Sequence, residues 1–225
     1  MESKLSTALV AELIGTFALV FIGAGAGALG IGGLVGVAFA HGLVLACFAY
    51  AYGHVSGTHV NPAVTLGVWL AGKIAAGRAA AYFVTQLIGG ALAGYALAWC
   101  LGGTETGLGA TVLAEGLQAG GAVIDVTPAM GVVIELILTF FLVNTVLNAG
   151  VSGKATHSAG LAIGLTLTFA ILMGGPLTGA SLNPARTLGP ALATGNWADF
   201  WVYLVGPLAG GAVAALLYRG VLEER

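Results

Sequence analysis

The chain has 225 residues, of which 58% are hydrophobic and only 7% charged. A soluble domain of this length carries about a quarter charged residues, so the composition excludes an ordinary water-soluble globule and points to the bilayer. A formal net charge of −2 gives no ground for a nucleic-acid partner.

Apolar runs follow one another at roughly 7–29, 34–54, 79–101, 129–149, 158–176 and 199–219. Each is near the ~20 residues that a tilted helix needs to cross ~30 Å of hydrocarbon. The first run follows Lys4 and resembles a secretory leader, but it is long enough to span and carries no convincing cleavage site, so it reads as a retained span. Barrel strands are excluded, because they are ~10 residues long and alternate in polarity. Gly-rich, polar stretches at 102–127 and 150–157 separate the runs. Cys47 and Cys100 both fall inside apolar runs and read as packing residues rather than a disulfide. The expected fold class is an all-α membrane protein, with residues 1–225 forming one domain.

The chain also repeats itself. Glu12-Leu13-Ile14-Gly15-Thr16-Phe17 resembles Glu135-Leu136-Ile137-Leu138-Thr139-Phe140, and Ser56-Gly57-Thr58-His59-Val60-Asn61-Pro62-Ala63 resembles Thr178-Gly179-Ala180-Ser181-Leu182-Asn183-Pro184-Ala185. The two glutamates stand 123 residues apart and the two asparagines 122 apart. The repeats cover about 1–101 and 129–225, joined by the loop 102–128. Three spans per half force the second half into the membrane upside down, the inverted-repeat plan of many transport proteins. Lys4, Lys73, Arg78, Lys154, Arg219 and Arg225 fall on one side and Arg186 alone on the other, so the positive-inside rule places both termini in the cytoplasm.

Asn is a favoured N-cap, and Pro suits the first helical position, where the amide hydrogen has no intrahelical partner. Asn61-Pro62-Ala63 and Asn183-Pro184-Ala185 each therefore begin a helix, running about from Asn61 to Leu70 and from Asn183 to Ala193. Such lengths cross only half the bilayer. Two half-helices entering from opposite faces would complete a seventh, broken span. Their N-termini, each with roughly half a positive charge, would meet at the midplane, and the Asn61 and Asn183 amides could donate to a passing molecule.

These paired boxes, their spacing and the Glu-x-x-x-Thr repeat resemble the aquaporin family (major intrinsic proteins) over essentially the whole chain. The resemblance implies a passive membrane channel for water that excludes ions and protons; half-helix dipoles that reject cations are a known device of aquaporin-type pores. It also implies a homotetramer in the cell membrane, embedded in lipid, with no cofactor and no metal. By family spacing, the selectivity filter falls on His41, Ile171, Ala180 and Arg186. Where Ile171 stands, strict water channels carry a second His; the set here is similar to that of plant vacuolar-membrane aquaporins, some of which also pass ammonia. Thr187, Ala191 and Tyr203 are water-channel-like, whereas Leu204 leans toward the glycerol branch.

Glu12 and Glu135 are expected to accept hydrogen bonds from the loops before the half-helices, since free backbone groups at membrane depth need partners. His59 falls in the first of those loops. Small residues four apart, at Ala49/Gly53/Gly57, Gly90/Gly94, Gly160/Gly164 and Gly206/Gly210, predict close helix approach. Trp69, Trp99, Trp197, Trp201 and Tyr82 read as interface anchors. A facilitator of glycerol, urea or hydrogen peroxide, or an ion-coupled secondary transporter, remains as an alternative. No nucleophile–base set or metal-ligand cluster marks an enzyme.

Overall fold

A computed structural model describes residues 3–155 and 157–223; Arg225 lies outside the described residues. Among the described residues, six helices are long and apolar enough to cross a membrane, the fourth and sixth counted with the π-turns that end them. They are α1 (Leu5–Ala28), α2 (Gly33–Ser56), α4 (Ala76–Cys100), α5 (Pro128–Thr145), α6 (Ala159–Thr178) and α8 (Val202–Leu217). Two short helices, α3 (Pro62–Leu70) and α7 (Pro184–Thr194), follow the second and fifth spans. Their nine and eleven residues amount to about 14 and 17 Å at 1.5 Å per residue, together close to one hydrocarbon thickness.

The expected spans hold to within a few residues at their ends. The fourth and sixth runs end in π-turns, Val146–Val151 and Tyr218–Leu222, a change of helix geometry that the apolar pattern does not mark. The loop 102–128 also carries a short antiparallel hairpin, β1 (Leu117–Ala119) and β2 (Ala122–Ile124), around Gly120 and Gly121.

Glycine sets how closely the helices approach. α4 lies against α7 where Gly90 meets the Ala185 carbonyl and Gly94 meets the Gly189 carbonyl, each with no room for a Cβ. Gly42 of α2 and Gly164 of α6 face each other in the same way, and Gly206 and Gly210 of α8 lie on α5. The stripe Ala49/Gly53/Gly57 does not behave so. Nothing stands within 4 Å of a Cβ at Gly53, and Gly57 instead ends α2 in the left-handed conformation (φ 86°).

Three side chains depart from their sequence assignment. Cys47 and Cys100 are exposed on the outer surface, so neither is a core packing residue. Tyr82 is fully buried; its hydroxyl donates to the Ser56 carbonyl at 2.9 Å, which an interface anchor would not do. Trp69, Trp99, Trp197 and Trp201 are exposed.

Candidate functional site

Each half-helix is entered through a short loop with the same backbone path. α2 and α6 end at left-handed Gly57 and Gly179. The chain then takes positive φ at Thr58 (49°) and Val60 (46°), and again at Ala180 (44°) and Leu182 (54°). Left-handed non-glycine residues cost about 1–3 kcal/mol each and persist only where the surroundings fix them.

The two buried glutamates supply that fixing. Glu12 Oε1 accepts from Ser56 Oγ (2.7 Å) and the His59 amide (2.8 Å), and Oε2 accepts from the Val60 amide (2.6 Å) and Gln86 Nε2 (2.8 Å). Glu135 repeats the pattern, with Oε1 taking Thr178 Oγ1 (2.7 Å) and the Ser181 amide (2.9 Å), and Oε2 the Leu182 amide (2.8 Å). Tyr82 and Tyr203 add matching bonds, from their hydroxyls to the carbonyls of Ser56 (2.9 Å) and Thr178 (2.8 Å). The halves differ behind the loops. His59 Nδ1 lies 3.1 Å from Thr65 Oγ1, itself bonded to Gln86, whereas Ser181 and Thr111 both meet Thr187 through hydroxyls.

Both asparagines take extended backbone (φ −159° and −150°) and cap their helices. Asn61 Oδ1 accepts from the Ala63 amide at 2.8 Å, and Asn183 Oδ1 from the Ala185 amide at 2.9 Å. Their amide nitrogens cross over. Asn61 Nδ2 donates to the Leu182 carbonyl at 2.8 Å, and Asn183 Nδ2 to the Val60 carbonyl at 2.9 Å. The two helix starts are thus tied tip to tip, with each box held by the loop of the other half.

A narrow cavity of about 20 Å³, measured as the volume open to the centre of a water molecule, lies at this junction. That is room for one or two waters. His41, Thr58, His59, Asn61, Ser181, Asn183 and Arg186 give its polar lining, and Leu19, Leu45, Leu142, Ile163 and Leu167 are among its apolar lining. Of the four positions expected to form the filter, His41 and Arg186 border this cavity; Ile171 and Ala180 are buried in the adjoining core and do not.

Arg186 sits in the first turn of α7, nearly enclosed, with Nη1 donating to the Gly109 carbonyl at 2.7 Å. Gly109 is wedged against the Ala24 carbonyl of α1 with no room for a Cβ, which fixes that acceptor. Arg186 Nε has no protein partner. His41 Nδ1 lies 2.9 Å from the Val37 carbonyl, so it carries the hydrogen and leaves Nε2 as an acceptor, buried and also without a protein partner. Buried polar atoms are normally satisfied. Both residues border the cavity, but neither of these two atoms is itself open to a water-sized molecule, and Nε2 lies against Gly23 of α1.

Sequence reasoning missed Ser56, Thr178, Gln86 and Gly109. Ser56 and Thr178 are matched positions of the repeat, and Gln86 is a polar residue within an apolar run, so both signals were present. Gly109 gave none, since its part depends on where the outer loop folds.

Six apolar spans and two half-helices joined at their N-termini beside a narrow cavity define a helical membrane channel. The chain belongs to the major intrinsic protein family, whose model matches residues 1–218. Aquaporin TIP4-4 of Zea mays is 43% identical over 226 residues, covering 95% of this chain and 86% of the relative. Aquaporin AqpM of Methanothermobacter thermautotrophicus is 36% identical over 247 residues, covering 96% and 97%. The X-ray structure of the aquaglyceroporin from Plasmodium falciparum superposes with a TM-score of 0.83 at 25% identity, covering 98% of each chain.

Proposed function

We propose that the protein is a passive water channel that excludes ions and protons and also conducts ammonia. The observation that carries this is the narrow cavity bordered by both capping asparagines, His41 and Arg186. Each asparagine amide has two hydrogens. One is spent on the crossed bond to the opposite loop, and the second is available to a permeating water. A water accepting from both asparagines has its oxygen engaged, which interrupts a proton relay along the file. The two helix N-termini, each with about half a positive charge, and the Arg186 guanidinium repel cations at the same place. Beside His41 and Arg186 the cavity is walled by Leu19, Leu45, Leu142, Ile163 and Leu167, an apolar surround that favours a small neutral solute such as ammonia beside water. The relatives named aquaporins support water as the substrate.

Coupling to an ion gradient is disfavoured by the acids themselves. Every recorded partner of Glu12 and Glu135 is a donor holding a loop in place, and neither residue borders the cavity. A broader facilitator of glycerol, urea or hydrogen peroxide is the second reading, favoured by Leu204 and by the aquaglyceroporin name of the structural neighbour. The clustering of Lys and Arg supports both termini in the cytoplasm, and the family resemblance supports a homotetramer in the cell membrane.

Proteoliposome shrinkage by stopped flow, compared for water, glycerol and urea, together with ammonia flux read by an internal pH dye, tests the proposal. Water and ammonia fluxes above those of empty liposomes are expected, linear in gradient and indifferent to ionophores. In Arg186→Ala, water flux persists and proton leak rises about tenfold, as a barrier lowered by about 1.4 kcal/mol would give. Ammonia flux equal to that of empty liposomes removes ammonia from the proposal, and water flux at the empty-liposome level removes the proposal itself.

A further inference from the structure

The glycines of the spans divide by what a Cβ on each would touch. At Gly90 and Gly94 it would meet the backbone of α7, so those two set helix spacing. At Gly15 and Gly23 of α1 it would meet side chains instead. A Cβ on Gly15 would lie 2.6 Å from Val60 Cγ1. One on Gly23 would lie 2.3 Å from His41 Cδ2, 2.4 Å from Nε2 and 2.7 Å from Cγ. Val60 and His41 both line the central cavity, as does Leu19, which stands between the two glycines on the same face of α1.

α5 carries the repeat partners of this face, 123 residues on, as Leu138, Leu142 and Val146. Leu142 and Val146 line the cavity themselves. The partner of His41, 122 residues on, is Ile163, which lines it too. The two halves thus fill matched places differently. α5 sets its own side chains against the cavity where α1 withdraws to glycine, and the space left at Gly23 is taken by an imidazole.

That ring has little freedom. Nδ1 lies 2.9 Å from the Val37 carbonyl, and Cγ, Cδ2 and Nε2 lie on Gly23. Non-bonded carbons settle at about 3.5–4.0 Å, so a methyl at residue 23 drives the ring back by about 1 Å. A side chain yields more readily than backbone, and the open space beside this ring is the cavity it borders. With a volume of about 20 Å³, room for one or two waters, that cavity is narrowed by such a shift.

We infer that Gly23 is a positioning residue for His41: it is the recess that holds the imidazole against α1 and out of the path of solute. The effect on flux rests on the central cavity being the path of water; the placement of the ring does not.

Solid-state NMR of protein carrying ring-labelled histidine, reconstituted in lipid bilayers, reads the placement, with the His41 signal identified by its loss in His41→Ala. In Gly23→Ala the His41 Nδ1–H signal loses the downfield shift that its bond to Val37 gives. Stopped-flow shrinkage of proteoliposomes reads the consequence. Water flux in Gly23→Ala falls about tenfold, as a barrier raised by about one hydrogen bond gives, while the melting temperature stays near the parent's because no backbone is pushed. Gly23→Ala combined with His41→Ala returns to the flux of His41→Ala alone, a recovery that a displaced α1 would not show. An unchanged His41 signal in Gly23→Ala overturns the inference, as does a flux equal to that of a conducting parent or a loss that the double variant keeps. A parent with no flux above empty liposomes removes the water reading, and the His41 signal alone then decides.

Discussion

The Glu12 carboxylate receives four donors, two of them amides of the strained loop Thr58–Val60, and offers none. A carboxylate accepts at both oxygens, whereas a glutamine of the same shape replaces one acceptor with a donor. Glu12→Gln therefore sets an NH₂ group against another donor and leaves a buried backbone amide unpaired, at a cost of about 1–3 kcal/mol. Loss of that size in detergent-solubilised protein is expected by thermal or denaturant unfolding, and an equally stable Glu12→Gln would show that the loop does not need the charge. At this scale the sequence was legible where the chemistry is local. The boxes announced their own caps, because Asn and Pro act on amides one to three residues away. The crossed bonds were not legible, because each asparagine donates to a carbonyl 121 or 123 residues distant. Nor were the left-handed turns, since Thr58, Val60, Ala180 and Leu182 carry none of the glycine signal that usually marks positive φ.

Within a single helix, α4 offers glycines of opposite meaning. A Cβ at Gly94 would lie 2.1 Å from the Gly189 carbonyl oxygen and 2.4 Å from its carbon. Both are backbone atoms of α7, so no rotamer relieves the clash, and α4 must back away from the half-helix. Gly77, in the first turn of the same helix, has nothing within 4 Å. Gly94→Ala is expected to destabilise by about 1–3 kcal/mol, the usual cost of overpacking. Gly77→Ala instead stabilises by up to about 0.5–1 kcal/mol, because glycine carries an entropic penalty in a helix. Melting temperatures that move in opposite directions support the close approach; a shared direction would refute it. Spacing alone flagged Gly90 and Gly94 correctly but flagged Gly53 equally, because a period of four does not say which face meets a neighbour. The spans themselves were readable since all-round apolarity needs no partner to be recognised. The π-turns, by contrast, depend on how helix ends meet the rest of the fold.

On the scale of the whole molecule, the central cavity separates residues that a solute meets from residues that only lipid or solvent meets. Neither Cys47 nor Cys100 borders it, and both are exposed on the outer surface. Mercuric ion is therefore expected to leave water permeability unchanged, since the thiols it can reach stand outside the path. Leu167, on α6, does border the cavity and is buried. In Leu167→Cys a thiol enters a space of about 20 Å³, where one bound metal ion displaces the one or two waters it holds. Stopped-flow shrinkage of Leu167→Cys proteoliposomes should then lose most of its rate on adding mercuric chloride and regain it with a thiol reductant. Persistent flux in that variant would mean that water takes another route, and a block of the parent relieved by Cys47→Ser would turn the outer face of α2 toward the pore. Because the parent and the variant differ by one side chain within the cavity, the comparison tests the path itself rather than the stability of the fold around it.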